Sequence, residues 1–198
     1  TLAKLNIDCI VLKHTDDECK RVRKYTYAEE LNYIVSHTKR NKFIENLCKT
    51  IKGNTLVLFQ LVDKHGVLLY NELKKLDKKV FFVYGGTTTE TREKIRGIVE
   101  KEKDSLIIAS YGTFSTGINI RNINNVVFAS PSKSRVRVLQ SIGRGLRQTK
   151  DKTMVRLFDV SDNISYKSRQ NFTYRHFTER LNIYKEEQFK YEINRINL

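Results

Sequence analysis

The feature that most limits the fold is an alternation along the chain, in which short apolar runs are separated by stretches of helical periodicity. The runs cover 9–12, 55–61, 80–84, 105–110, 125–129 and 154–160. They are short for helices, and they are too continuously apolar for strands that turn one face to water. Strands buried on both faces need a helix between each pair, so the pattern predicts the α/β class, a parallel sheet flanked by helices.

The intervening stretches fit that scheme. In 38–52, Phe43, Ile44, Leu47 and Ile51 recur at helical spacing, and Gly53 stands where a left-handed residue ends a helix. The segment 67–76 repeats the pattern. Gly85 and Gly86 form a turn, and Thr87 with Glu90 has capping-box spacing, so a helix is expected from Thr87 to Lys101. Its first turn offers unpaired N–H groups, the kind of site that holds phosphate. Asp16, Asp17 and Glu18 follow the first apolar run and read as a turn between edge elements. Beyond Ser165 no further strand is evident. Tyr166, Arg169, Phe172, Tyr174, Arg175, Phe177, Arg180 and Tyr184 interleave aromatic and basic character, which predicts a helical C-terminal extension over 161–198. Its aromatic residues either pack inward or stack on unpaired bases.

At 198 residues the chain suits one domain, 1–160, plus that extension. No window approaches the roughly 18 uncharged apolar residues of a membrane helix, and no signal peptide opens it. The expected setting is cytoplasmic, without a membrane partner. The formal charge of +15 attracts polyanions such as nucleic acid, and it is equally the mark of a solvated Lys-rich surface. Cys9, Cys19 and Cys48 have no C-x-x-C spacing, so reduced structural cysteines and no metal site are expected.

The stretch 131–150 contains Lys133, Arg135, Arg137, Arg144, Arg147 and Lys150 and no acidic residue, a run that calls for an external anion. On a helix, Gln140, Arg144 and Arg147 share one face, while Val136, Leu139, Ile142 and Leu146 lie largely on the other and would dock on the sheet. Gly143 and Gly145 weaken such a helix by about 1 kcal/mol each. The two arginines repel one another at i, i+3. These residues therefore serve something other than helix stability. Two guanidinium forks can stabilise charge that grows on a transferring phosphoryl group.

The run Gln140-Ser-Ile-Gly-Arg-Gly-Leu-Arg147 resembles the sixth motif of superfamily-two helicases. Ala109-Ser-Tyr-Gly-Thr-Phe-Ser-Thr-Gly-Ile-Asn119, followed by Val126-Val-Phe128, resembles their fifth, and 55–60 resembles the strand of their fourth. The likeness covers 27–160 in motif order and spacing. It implies the second RecA-like domain of a two-domain motor, in which Arg144 and Arg147 contact the γ-phosphate of ATP as arginine fingers. Gln140 would link ATP to the domain interface, with Gly117, Asn119 and Gly143 near the nucleotide. Ser110, Gly86, Thr87 and Gln60 are the implied nucleic-acid contacts. Many relatives carry Asp where this chain has Asn119, which removes a carboxylate contact to ribose or arginine. Within the family the stretch is most similar to phage recombination and repair members, which implies DNA, branched or single-stranded; RNA stays open, because backbone contacts carry no sequence information.

A complete motor also needs a G-x-x-x-x-G-K-[ST] loop and an acidic strand end for Mg²⁺. Neither is in this sequence. ATP is therefore expected to be shared with a missing N-terminal RecA-like domain of the same parent chain, which would also bind Mg²⁺. The fragment alone is expected to be inactive. Two other readings fit the charge: a non-catalytic basic nucleic-acid-binding module, and the translocase half of a restriction or remodelling motor.

Overall fold

A computed structural model describes residues 4–115, 121–133, 135, 137, 139 and 154–198. All the apolar runs form strands: β1 (Lys4–Lys13), β2 (Thr55–Phe59), β3 (Val80–Val83), β4 (Leu106–Ser110), β5 (Asn125–Phe128) and β6 (Met154–Asn163). The helices are α1 (Asp16–Val22), α2 (Tyr27–Ser36), α3 (Thr38–Thr50), α4 (Val67–Leu73), α5 (Thr89–Val99), α6 (Tyr111–Ser115) and α7 (Phe172–Glu186), with a π-helical turn at Val62–Gly66. A last strand, β7 (Lys190–Asn197), joins the same sheet. Among the described residues the sheet has seven strands in the order β3-β4-β2-β5-β6-β1-β7, and every pairing is parallel.

Alternation within each strand splits the core in two. Leu56 and Leu58 of β2 point to one face, with Ile107, Val126, Phe128 and Leu157, where Phe177 and Tyr184 of α7 cover them. Val57 and Phe59 point to the other, with Ile108, Val127 and Val160, beneath Ile44 and Cys48 of α3 and Leu69 of α4. Each face is dry, which is why these strands read as continuous apolar runs. Cys9, Cys19 and Cys48 are free and buried. Among the described residues no helix is long and apolar enough to cross a membrane.

Local signals hold where the chain has no alternative partner for the same atoms. Gly53 takes φ +100°, and a Cβ there would lie 2.8 Å from that of Asn124. The acidic group is not a turn between edge elements. Thr15 and Glu18 close a capping box on α1, and Asp16, Asp17 and Glu18 fill its first turn, where negative charge favours the helix dipole. The cap of α5 also lies one residue later than its spacing suggests. The Thr87 hydroxyl accepts the Tyr84 N–H (3.0 Å), which leaves Thr88 to accept from Thr91 N (3.2 Å).

The larger correction is β7. The C-terminal extension is a helix followed by a strand, paired to β1 from Asn6↔Lys190 to Lys13↔Asn197. Its sequence alternates Tyr191 and Ile193, partly buried against the core, with Lys190, Glu192 and Asn194. That thin apolar face and dense charge suit a sheet edge, which must not pair with other chains. Such a strand carries far less apolar signal than the central ones.

One carboxylate fixes where α7 begins. Glu30 of α2 is buried and accepts hydrogen bonds from Phe172 N (3.0 Å), Thr173 N (2.7 Å) and Asn171 Nδ2 (3.2 Å). It takes the place of the side-chain cap that Asn171 does not give. Glu30→Ala takes the acceptor from the Phe172 and Thr173 N–H groups at the start of α7 and should cost on the order of 3 kcal/mol. Glu30→Gln, which keeps an acceptor oxygen, should cost less. Urea denaturation of the two variants checks this, and equal midpoints for Glu30→Ala and the parent would disprove the capping role.

Candidate functional site

In a parallel sheet every strand points the same way, so the loops that follow the strands gather at one edge, where α/β proteins bind ligands. Gln60 follows β2, Gly86 and Thr87 follow β3, and Ser110 ends β4, so these candidate residues meet on the carboxyl edge of three adjacent strands. Gln60 is exposed, and its Oε1 accepts the Ser132 hydroxyl (2.7 Å), tying the end of β2 to the loop after β5. The Ser110 hydroxyl contacts that of Thr113 (2.6 Å) and accepts the Thr113 N–H (3.2 Å), so it also starts α6. Thr87 N donates to Tyr84 O (2.9 Å), and Arg92 Nη2 donates to the same carbonyl (3.2 Å), closing the glycine turn. Gly117, Asn119, Gln140, Gly143, Arg144 and Arg147 lie outside the described residues.

The origin of the basic stretch is described. Arg135, Arg137 and Leu139 are helical; Leu139 is 3% exposed and sits in the core beside α7, while Arg137 is exposed. The burial of Leu139 fits the expected apolar face, whose other residues, Val136, Ile142 and Leu146, lie outside the described residues. Arg135 departs from expectation, because it needs no external anion. It is 1% exposed and donates from Nη1 to Asp159 Oδ1 (2.8 Å). It also donates from Nη2 to Ser130 O (2.7 Å) and Val160 O (2.9 Å).

Asp159, in the middle of β6, holds more than Arg135. Arg180 of α7 donates from Nε to Oδ2 (2.9 Å) and from Nη2 to Oδ1 (2.9 Å), and the Tyr184 hydroxyl donates to Oδ2 (2.5 Å). Burial alone would raise the Asp159 pKa, but Arg180 and Arg135 outweigh it and hold the carboxyl at about 2. Its contribution to stability is therefore present above the ordinary carboxylate range and is lost as pH falls through about 2. Tyr111 joins the group by donating its hydroxyl to Ser130 O (2.7 Å). Below lies His65, fully buried, in contact with the Ser130 hydroxyl and with Asn41 Oδ1 (3.2 Å).

On the opposite face Asp162 binds Arg40 Nε through both oxygens (2.9 Å each), and His14 Nε2 lies 2.9 Å from Oδ1. Burial raises the Asp162 pKa, and Arg40 and His14 lower it further than burial raises it. His14, Glu18 and His37 bring ligand-type atoms within 4.8 Å of one another. Hydrogen bonds account for that cluster: His37 Nδ1 accepts Arg40 N–H (3.2 Å), so the neutral ring carries its proton on Nε2 and gives it to Glu18 (3.0 Å). A metal at Nε2 would need that proton moved to a nitrogen that is already accepting a hydrogen bond.

Asp159, Arg180 and Tyr184 are the residues that sequence reasoning missed. The signal was a charged residue inside a strand buried on both faces, which requires a cation, with a basic and a hydroxylic residue one helical turn apart downstream. Of the interleaved aromatics, Phe177 and Tyr184 are buried, as the packing alternative expects.

Burial lowers the His65 pKa from 6.5 to about 3, with Arg40 adding to the effect. The unfolded chain therefore takes up a proton that the folded chain refuses, and stability falls as pH drops from 6.5 toward 3. His65→Gln should remove up to about 1.4 kcal/mol per pH unit from that slope. Urea unfolding between pH 7 and pH 4 measures it, and an unchanged slope would mean that His65 is not held neutral.

Comparison with known proteins agrees with the motif order. The helicase conserved C-terminal domain matches residues 38–149. The ATP-dependent DNA helicase uvsW of Enterobacteria phage T4 is 34% identical over an aligned length of 210 residues, covering 100% of this chain and 42% of that protein. The putative ATP-dependent helicase IRC3 of Saccharomyces cerevisiae is 29% identical over 164 residues, which cover 80% of this chain and 22% of that protein. The crystal structure of T4 UvsW superimposes with a TM-score of 0.86 at 33% identity, over 100% of this chain and 42% of that one. The C-terminal domain of the DEAD-box protein Dbp5 shares the fold, with a TM-score of 0.58 at 13% identity over 99% of this chain and 90% of that one. The chain thus spans less than half the length of the curated relatives it matches.

Proposed function

The chain belongs to the helicase conserved C-terminal domain family, and on that footing we propose that it is the second motor domain of an ATP-dependent DNA helicase or translocase that acts on branched DNA in recombination and repair. In this reading Arg144 and Arg147 meet the terminal phosphates of ATP, Gln140 links nucleotide to the domain interface, and Gly117, Asn119 and Gly143 line the approach. Gln60, Gly86, Thr87 and Ser110 contact the DNA backbone. A partner domain of the same parent protein would hold the remaining phosphates and Mg²⁺.

The observation that carries the reading is the convergence at one sheet edge. Gln60, Thr87, Ser110 and the origin of the segment that leads to Arg144 lie on the carboxyl ends of neighbouring parallel strands. A track on one side and nucleotide on the other can then be coupled by opening and closing a cleft against a second domain. The branched substrate rests on kinship with UvsW, whose name states a DNA helicase. The charge of +15 supports a polyanionic track without choosing its sugar.

DNA-stimulated ATP hydrolysis by the full-length protein tests this. Arg144→Ala and Arg147→Ala should each lower turnover by a factor on the order of 1,000 while ATP binding stays within a few-fold. The 198-residue chain alone should hydrolyse nothing. A full-length protein that binds DNA but lacks ATPase activity would leave a non-catalytic binding module instead.

A further inference from the structure

The candidate DNA contacts occupy one side of the carboxyl edge, at the ends of β3, β4 and β2, and a different surface continues the row across β5, β6 and β1. Lys133 follows β5, beside the Ser132 that bonds Gln60. Phe172 opens α7 and is held at the end of β6 by its neighbour Asn171, whose Nδ2 donates to Asp162 O (3.2 Å). Tyr27 opens α2, and Glu30 of that helix caps α7. The rings of Tyr27, Phe172 and His176 form one half-buried cluster. Tyr27 lies 6.0 Å from Phe172 and 5.6 Å from His176 between centroids, both pairs near edge-to-face.

Cations sit against these rings. Lys133 Nζ is 5.3 Å from the Tyr27 centroid, and the Arg169 and Arg175 guanidiniums are 5.7 and 5.9 Å from that of Phe172. Lys133 and Arg175 are exposed, and among the described residues neither has a carboxylate partner. Glu30 is buried beneath, with its oxygens taken by the start of α7. Burial holds the His176 pKa below 6.5 against the pull of Glu179, and Lys133 and Arg180 add to the effect, so the ring is neutral at pH 7. Rings that only pack would be buried outright, as Phe177 and Tyr184 are. Flat π faces beside unanswered positive charge suit an unpaired nucleotide, the rings for its base and the cations for its phosphate. Arginine serves both needs, because its guanidinium plane also stacks on a base.

We propose that Tyr27, Phe172 and His176, with Lys133 and Arg175, form a stacking platform for an unpaired nucleotide of the DNA strand, on the β5–β6–β1 side of the carboxyl edge. The inference rests on the reading of that edge as the DNA-binding face. Every base has a π face, so the platform accepts any sequence and requires only that the base be unpaired. A duplex keeps its bases stacked inside and offers this surface phosphates alone. A branched substrate would therefore be gripped where its strands have parted.

The experiment uses the full-length protein and measures its affinity for three fluorescent probes of equal length: a single DNA strand, the same sugar-phosphate strand without bases, and a blunt duplex. Phe172→Leu and Tyr27→Leu keep apolar volume and remove the π face. Each should weaken binding of the intact single strand about fivefold and leave the abasic strand and the duplex within about twofold. Lys133→Ala should weaken both single strands and reduce the slope of log affinity against log salt by about 0.7. Wild-type affinity in the folded leucine variants, or equal losses on all three probes, would overturn the proposal. So would a loss of ATP affinity with DNA binding unchanged, which would make adenine the stacked base. If the wild-type protein binds none of the probes, the DNA-binding reading has failed as well; if it binds them and the leucine variants match it, the platform alone has failed. Circular dichroism confirms that each variant is folded. Arg175→Ala, at an exposed position, keeps the test open should Phe172→Leu not fold: its loss should be about threefold larger on the intact strand than on the abasic one.

Discussion

The second half of β6 carries two buried carboxylates on opposite faces of the sheet, and the order of the candidate edge depends on them. Asp159 faces α7 and Asp162 faces α3, as their odd and even positions in one strand require. Each brings an arginine fork across the end of β5: Arg135 donates to Phe128 O and Ser130 O, and Arg40 donates from Nη1 to Ala129 O (2.7 Å). A buried charge costs several kcal/mol unless it is paired and its remaining donors are met. Removal of any one partner strands the others, so β5, β6, α3, α7 and the helical residues at Arg135 hold together as a unit.

That clamp explains why the edge can present side chains with fixed geometry although its loops are short and polar. Ser130 is the junction: its carbonyl accepts from Tyr111 and Arg135, and its hydroxyl meets His65. Tyr111 follows directly on Ser110, and Ser132 reaches Gln60. Gln60, through Ser132, and Ser110, through its neighbour Tyr111, are thus each joined to Arg135 by a short chain of hydrogen bonds. On the proposed reading, this is a physical path between track and nucleotide, made of shared acceptors.

The central strands were legible because burial on both faces leaves no room for polar residues, and the helices over 38–52 and 67–76 were legible from their spacing. The family was legible because glycine and arginine at those intervals resemble its sixth motif, and the family match over 38–149 bears the resemblance out. What escaped were features decided by competition or by distance. Thr87 fits a cap by spacing, but Tyr84 N claims its hydroxyl first. The strand β7 is an edge, and charge that guards an edge also hides it from a search for apolar runs. The partners of Asp159 lie at Arg135, Arg180 and Tyr184, and only the fold brings them together.

Arginine appears on this chain in two physical states, and the difference lies in what answers the charge. Arg40, Arg135 and Arg180 are buried and matched by carboxylates that never leave. Such residues can order a structure but cannot respond to a ligand, since their best acceptor is always present. A residue that senses a phosphate must lack an internal carboxylate, so that the anion it waits for is its strongest available partner. The stretch from Pro131 to Lys150 contains no acid, and Asp159 at 0% exposure is already shared by two arginines and a tyrosine. Arg135 therefore takes the fixed role, its charge answered inside the fold. On the proposed reading, a permanently paired arginine thus stands upstream in the sequence of the arginines assigned to a transient anion.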